Sequence, residues 1–232
     1  MDAVRAWVEP GGARNADDVV HFGLRAHILQ KTFACLETVP LDDLTVSAVC
    51  REAGVSRTTF YRLFSGKHDV YNWFLRVTMR SNLAQVGRVF SWDRALLLFF
   101  RSLDANRKLS QEFFASKAAK SATQACLEYV QRSLARSVAL RLGGAEGASI
   151  PHRYAFQVRA FSRAFVGALG DWLEGDAPPY SVVDDVLSIV PRELYEMLNV
   201  DAQGRPLSPE SMRRTDDAVS IELTAESLFT DF

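Results

Sequence analysis

Gly54 constrains this chain more than any other position. It stands in the middle of residues 46–70, VSAVCREAGVSRTTFYRLFSGKHDV, between two short runs whose apolar residues recur at helical spacing. A glycine there supplies the positive φ that a tight turn between two helices requires. Thr45 is placed to cap the helix before it, which runs to Ala53 with Val46, Val49 and Cys50 facing inward. Ser56 caps the helix after it, a very short one that reaches Leu63 or Phe64. Ser65-Gly66 then separates that helix from another starting near Lys67.

The rest of the chain is helical as well. Asn15 is a plausible cap for a first helix, and Phe22, Ala26, Leu29, Phe33 and Leu36 give it one apolar face to about Glu37, where Pro40 ends it. The helix from Lys67 is expected to run past Trp73, Phe74 and Val77 towards Phe90. Further helices are expected over residues 92–106, 110–119, 123–142, 151–174 and 181–198, with breaks at Gly143-Gly144 and Gly147 and at Gly175 with Pro178-Pro179. Strand alternation is absent except for a weak stretch at Ser220 to Leu223, and no internal repeat is found. The fold class is all-α. Four regions are expected: an arm at 1–14, a small helical domain at 15–66, a larger helical domain at 67–200 and an acidic tail at 201–232.

Two short helices that cross steeply at a tight turn form a helix-turn-helix. The motif needs a small residue where the helices touch, a turn glycine and an apolar lock. Cys50, Gly54 and the set Val49, Val55, Phe60 and Leu63 supply them. Outward on the second helix remain Arg57, Thr58, Thr59, Tyr61 and Arg62, which offer donors to phosphate oxygens and base edges and a threonine methyl to a thymine methyl. The whole chain carries a formal charge of −1, but nucleic-acid binding depends on where cations cluster. Arg51, Arg57, Arg62 and Lys67 face Glu52 alone between positions 51 and 67. In the tail, Arg205, Arg213 and Arg214 oppose seven acids.

The run Val49-Cys50-Arg51-Glu52-Ala53-Gly54-Val55-Ser56-Arg57-Thr58-Thr59-Phe60-Tyr61-Arg62-Leu63-Phe64-Ser65-Gly66-Lys67 resembles the DNA-binding module of TetR-type transcriptional regulators. The resemblance spans roughly Val20 to Leu75. It rests on the A-G-V-S turn, the F-Y-x-x-F end of the second helix and the lysine opening the next one. Cys50 departs from the family's usual alanine, and acidic residues more often follow the lysine directly. The resemblance implies that Thr45 touches phosphate and that Ser56, Arg57, Thr58 and Thr59 face the major groove. It also implies that the Tyr61 hydroxyl and Lys67 meet the backbone beside the groove. A cation beside the amide end of a helix is an anion site in its own right. Arg57, whose fork bonds two acceptors on guanine, is the leading base reader.

One such module spans few base pairs, so a two-fold dimer on a palindrome is expected. TetR-like regulators usually pair their last two core helices, and this implies an interface from Phe161, Phe165, Leu169 and Trp172 with Val183, Leu187, Val190 and Leu194. Ala164 and Gly167 would permit close approach. The family's middle helices often enclose an inducer that tilts the fourth helix. Phe99, Phe100, Phe113, Phe114, Tyr129 and Phe156 are the candidates to line a mostly apolar effector pocket.

Other functions find little footing. His21, His27, His68 and His152 lack metal spacing, and no serine elbow, phosphate loop or dinucleotide glycine pattern occurs, so neither catalysis nor a cofactor is expected. Cys35, Cys50 and Cys126 read as free thiols. The apolar run at 95–100 is too short for a membrane span and the N-terminus has no leader pattern, which gives a cytoplasmic expectation. The reading is a dimeric, ligand-responsive regulator of the TetR type, a repressor, with double-stranded DNA as partner. The competing reading is a coactivator of the same fold that acts through protein contacts.

Overall fold

The protein is seen here as a computed structural model, which describes residues 16–200 apart from 89, 117–118 and 146–147. The expected arm, the acidic tail, the Asn15 cap and the stretch at 220–223 lie outside the described residues. The elements are α1 Ala16–Leu36, α2 Val46–Glu52, α3 Arg57–Leu63, α4 Lys67–Ser81, α5 Trp92–Asp104, α6 Arg107–Ala115, α7 Ala119–Arg141, α8 His152–Glu174, α9 Pro179–Ser188 and α10 Arg192–Leu198. A single 3-10 turn, Leu83–Gln85, follows α4. Among the described residues there is no strand beyond one isolated bridge, Val86 to Phe90. The all-α expectation holds.

Helices α1 to α3 form a small head. α1 packs on α2 and on α4, and the rings close the space between them. Phe33 meets Phe74 edge-on at 5.3 Å, Phe22 lies 5.3 Å from Trp73, and Phe64 meets Trp73 at 6.2 Å. α4 leaves this head and passes into the body, where it packs against α7 and α5. Tyr71 on α4 stacks on Phe113 of α6 at 4.1 Å and donates its hydroxyl to Ser110 Oγ at 2.8 Å. Full burial pushes the Tyr71 phenol above its ordinary range, so it stays a donor.

The body is centred on α5, whose Trp92, Leu96, Phe99, Phe100 and Leu103 are all buried. α9 lies on α5, and α8 packs along α7. Phe100 meets Trp172 of α8 at 5.0 Å, Phe99 meets Phe165 at 5.6 Å, and Trp92 meets Phe161 at 5.3 Å. Arg107 closes the C-terminal end of α8. Its guanidinium lies 4.2 Å from the Trp172 ring centre, pairs with Asp104 at 2.8 Å and donates to the carbonyls of Trp172, Gly175 and Ala177.

Two expected elements are corrected. The helix from Lys67 does not reach Phe90; it stops at Ser81, where Asn82 bonds back to the Thr78 carbonyl and the chain turns at Gly87. Gly87 has φ +74°, and a Cβ there would stand 2.8 Å from Leu198 Cδ2. A side chain there would force Leu198 to shift and would be strained at this positive φ. The stretch 181–198 is two helices, not one. Pro191 has no amide hydrogen and its ring crowds the preceding turn, so α9 ends and α10 begins at that point.

Candidate nucleic-acid interface

The turn between α2 and α3 takes its shape from Gly54 at φ +63°. The Gly54 amide bonds to Arg51 O at 3.3 Å and the Val55 amide to Cys50 O at 3.0 Å. This pair of bonds is the Schellman closure, in which a left-handed residue satisfies the last carbonyls of a helix. His27 on α1 reaches the end of the same helix, with Nε2 3.0 Å from Ala53 O. Cys50 is buried at the crossing, and burial raises its thiol above the usual value.

Both helices are capped by their own hydroxyls. Thr45 Oγ1 accepts from the Ala48 amide at 3.1 Å, and Ser56 Oγ accepts from the Thr59 amide at 3.0 Å. Thr59 is half-buried and its own hydroxyl lies 2.9 Å from Ser56 Oγ, so the cap already occupies it. Thr45 and Ser56 remain exposed at the two helix starts.

The amphipathic split of α3 comes from its seven residues. Phe60 and Leu63 turn inward, with Phe60 at 0% exposure, and Phe64 closes the back of the helix. Arg57, Thr58, Tyr61 and Arg62 are exposed on the other side. The Arg57 guanidinium lies 5.7 Å from the Tyr61 ring centre and donates to Ser47 Oγ on α2 at 2.7 Å. Ser47 was not among the residues read from the sequence. Its signal was its exposed place on α2, two residues after the cap, but a lone serine in a helix carries no such message.

Lys67, which the resemblance implies meets the DNA backbone beside the groove, is also engaged within the chain. Its Nζ donates to Leu41 O and Asp42 O, both at 2.7 Å. These bonds tie the α1–α2 connection to the start of α4 and leave one of the three ammonium hydrogens for a further acceptor. Asp69, in the first turn of α4, accepts from the Ser65 amide at 3.1 Å and places a carboxylate at the positive end of the helix.

The residues expected to line an effector pocket do not converge. Phe99, Phe100 and Phe113 are fully buried in ring-to-ring packing. Phe114 is half-buried, and Phe156 is 61% exposed on the outside of α8, which removes it from any interior site. Tyr129 is half-buried; burial raises its pKa, while Arg80, a hydrogen bond to Ser133, Arg132 and Arg136 oppose that rise. A small apolar cavity of about 10 Å³ lies elsewhere, lined by Leu83, Val86, Trp92, Val130, Ser133, Leu134, Phe161 and Phe165. It has room for about one water molecule.

The expected dimer residues lie mostly inside the chain. Phe161, Phe165, Leu169, Trp172, Val183, Val190 and Leu194 are buried within this one chain, and Leu187 is half-buried. Their stripe meets α5 and α7, because a large apolar side chain on a helix of a body this size finds its partner within the fold first. The opposite side of α8, with Phe156, Ala160, Arg163, Ala164 and Gly167, is the exposed one.

Among the described residues no group of three His, Cys, Asp or Glu side chains gathers as a metal site, and no helix is long and apolar enough to cross a membrane. A capped, glycine-hinged helix pair with its rings behind and its cations and hydroxyls in front forms a helix-turn-helix. Residues 28–72 match the family described as "Bacterial regulatory proteins, tetR family". Among solved structures, a chain described as "Dihydroxyacetone kinase operon activator DhaS" is similar, with a TM-score of 0.56 and 15% identity over 74% of this chain and 96% of that one. At that identity the likeness speaks for the fold alone. No curated protein matches the chain.

Proposed function

We propose that the protein binds a palindromic operator as a two-fold dimer, represses the adjoining promoter, and is released by a small apolar effector in the cytoplasm. The exposed face of α3 carries the reading. Arg57, Thr58, Tyr61 and Arg62 stand outward while Phe60 and Leu63 are held inside, which is the placement a major groove requires. Thr45 and Ser56 stand at the flanking helix starts, and the free hydrogen on Lys67 suits a backbone phosphate.

The outer side of α8 supports pairing with a second copy. Phe156 is 61% exposed, and a Cβ at Gly167 would meet nothing within 4 Å. Small residues at Ala160, Ala164 and Gly167 let two helices approach closely while Phe156 is buried. An effector would enter by widening the cavity beside Leu83 and Val86. These residues follow the end of α4, so a wedge there tilts the helix that carries the head.

Repression is the simpler outcome of a dimer seated on a promoter, since it needs no added contact. The DhaS neighbour is described as an operon activator, and a reporter fused to the promoter beside the gene decides between the two directions. Selection of bound sites from random oligonucleotides tests the whole reading, and it fails if no palindrome is enriched. On a selected site, Arg57→Ala should cost about 1–3 kcal/mol of discrimination at one base pair per half-site. Lys67→Ala should weaken binding on every sequence alike. Equal losses on operator and random DNA for both variants would remove Arg57 as the base reader.

A further inference from the structure

α6 is nine residues long and is bonded on both sides. Towards α8, Arg107 donates to Trp172 O at 2.9 Å and Gln111 Nε2 to Leu173 O at 2.7 Å. Towards the head, Glu112 Oε2 accepts the backbone amide of Leu41 at 3.0 Å, across 71 positions of sequence. Leu41 is 3% exposed and lies in the connection that leads to the Thr45 cap of α2. That connection is stiff. Pro40 O accepts from the Asp43 and Leu44 amides at 3.1 and 3.0 Å, and Lys67 Nζ holds the carbonyls of Leu41 and Asp42. Leu44, at 2% exposure, anchors its far end in the core. A side chain on α6 therefore grips the segment that sets where α2 begins, and two others on α6 grip the C-terminal end of α8.

We propose that Glu112 is a positioning residue for DNA recognition: through the Leu41 amide it fixes the angle between α8 and the reading head, and with it the distance between the two half-sites a dimer can read. This rests on the dimeric DNA-binding reading above. A two-fold assembly joined through α8 places its heads by whatever holds each head to that helix. The covalent route from head to body runs through α4 alone, a rod that can pivot, and a second attachment away from that axis removes the pivot. Glu112 makes the attachment at the head, and Gln111 and Arg107 make it at α8. No phosphate and no base touches these side chains in the scheme, so their effect is on geometry and not on charge.

The test uses the full chain and a set of palindromes whose half-sites are separated by the selected spacer, or by one base pair more or fewer. The wild-type protein should favour one spacer. Glu112→Ala should reduce that preference by about three- to tenfold with an unchanged slope of affinity against salt, because no phosphate contact is lost. Glu112→Gln keeps an oxygen that accepts the Leu41 amide and should restore the preference. Gln111→Ala cuts the link at the α8 end, far from the head, and should relax it in the same sense. Hydrogen exchange read on peptides covering residues 40–50 should speed up in Glu112→Ala and return to the wild-type rate in Glu112→Gln. Unchanged spacer preference and unchanged exchange in Glu112→Ala would overturn the proposal, as would loss of both in Glu112→Gln. If the wild-type protein enriches no duplex at all, it is the DNA reading that has failed. The mechanical link then stands or falls on the exchange of residues 40–50 alone.

Discussion

In the head, Phe60 and Phe64 sit behind a helix whose other side carries Arg57, Thr58, Tyr61 and Arg62. In the body, Phe99, Phe100, Phe165 and Trp172 meet one another across α5 and α8 and are sealed from solvent. The head is too small to wrap its helices completely, so one face of each stays wet and is available to a partner. The body surrounds α5 on several sides, so its densest aromatic stripes are consumed within the chain. A row of large apolar residues thus means opposite things in the two regions. In the head it marks the back of a working face; in the body it marks the place least able to meet anything else. The large apolar residues that the described body leaves exposed, Leu140, Leu142, Phe156, Tyr180 and Ile189, lie outside those stripes.

The strongest way to break this contrast is to truncate one ring from each class. Phe165→Ala leaves a hole among Phe99, Phe100 and Phe161 and should cost about 3–5 kcal/mol in denaturant unfolding. Phe156→Ala should change the stability of the isolated chain by about 0.5 kcal/mol or less while weakening self-association in light scattering. If the two variants were equally unstable, the assignment of inside and outside on α8 would be wrong.

A smaller effect separates local from tertiary stability in the head. Ser56→Ala removes the acceptor for the Thr59 amide and should cost about 1 kcal/mol, seen as faster exchange in α3 with α7 and α8 unchanged. Equal loosening of the body would mean that the head is not held by its own caps.

The smallest effect lies where head and body meet. His68 in the first turn of α4 has its pKa lowered by burial and, less, by Lys67, with Asp42 opposing. Its Nε2 is buried without a hydrogen-bond partner, and its ring lies 6.4 Å from Phe113. The unfolded chain therefore takes up this proton more readily than the folded one. Stability should fall as the pH drops through the unfolded histidine value of about 6.5 towards the lower folded one. His68→Gln should flatten that part of the stability curve. An unaltered slope would place the acid sensitivity elsewhere.

How much of this was legible in the sequence follows the same division. Gly54, the Thr45 and Ser56 caps and the inward Phe60 were readable because each acts on neighbours within a few residues. Helix existence was readable for the same reason, and the missed break at Pro191 was an oversight of a local signal. The stop of α4 at Ser81 was not readable, since Asn82, whose side chain bonds back to the Thr78 carbonyl there, carries no stop signal as distinct as a proline or glycine. The direction of the α8 stripe was equally hidden: Phe165 and Leu169 repeat correctly for either an interface or a core, and only the position of α5 decides. Glu112 was not singled out in the sequence, and Lys67 was read only for a contact with the DNA backbone. Their partners are backbone groups of Leu41 and Asp42, which no pattern of side chains announces.

The bare backbone at Gly87 has a practical corollary for shortened forms of this chain. Leu198 is the lid over that spot, and Val86 and Leu83 beside it are apolar and dry. A stop codon placed before α10 would strip the lid and leave a sticky floor at the foot of α4. Such truncates should collect in inclusion bodies even with every DNA-facing residue intact.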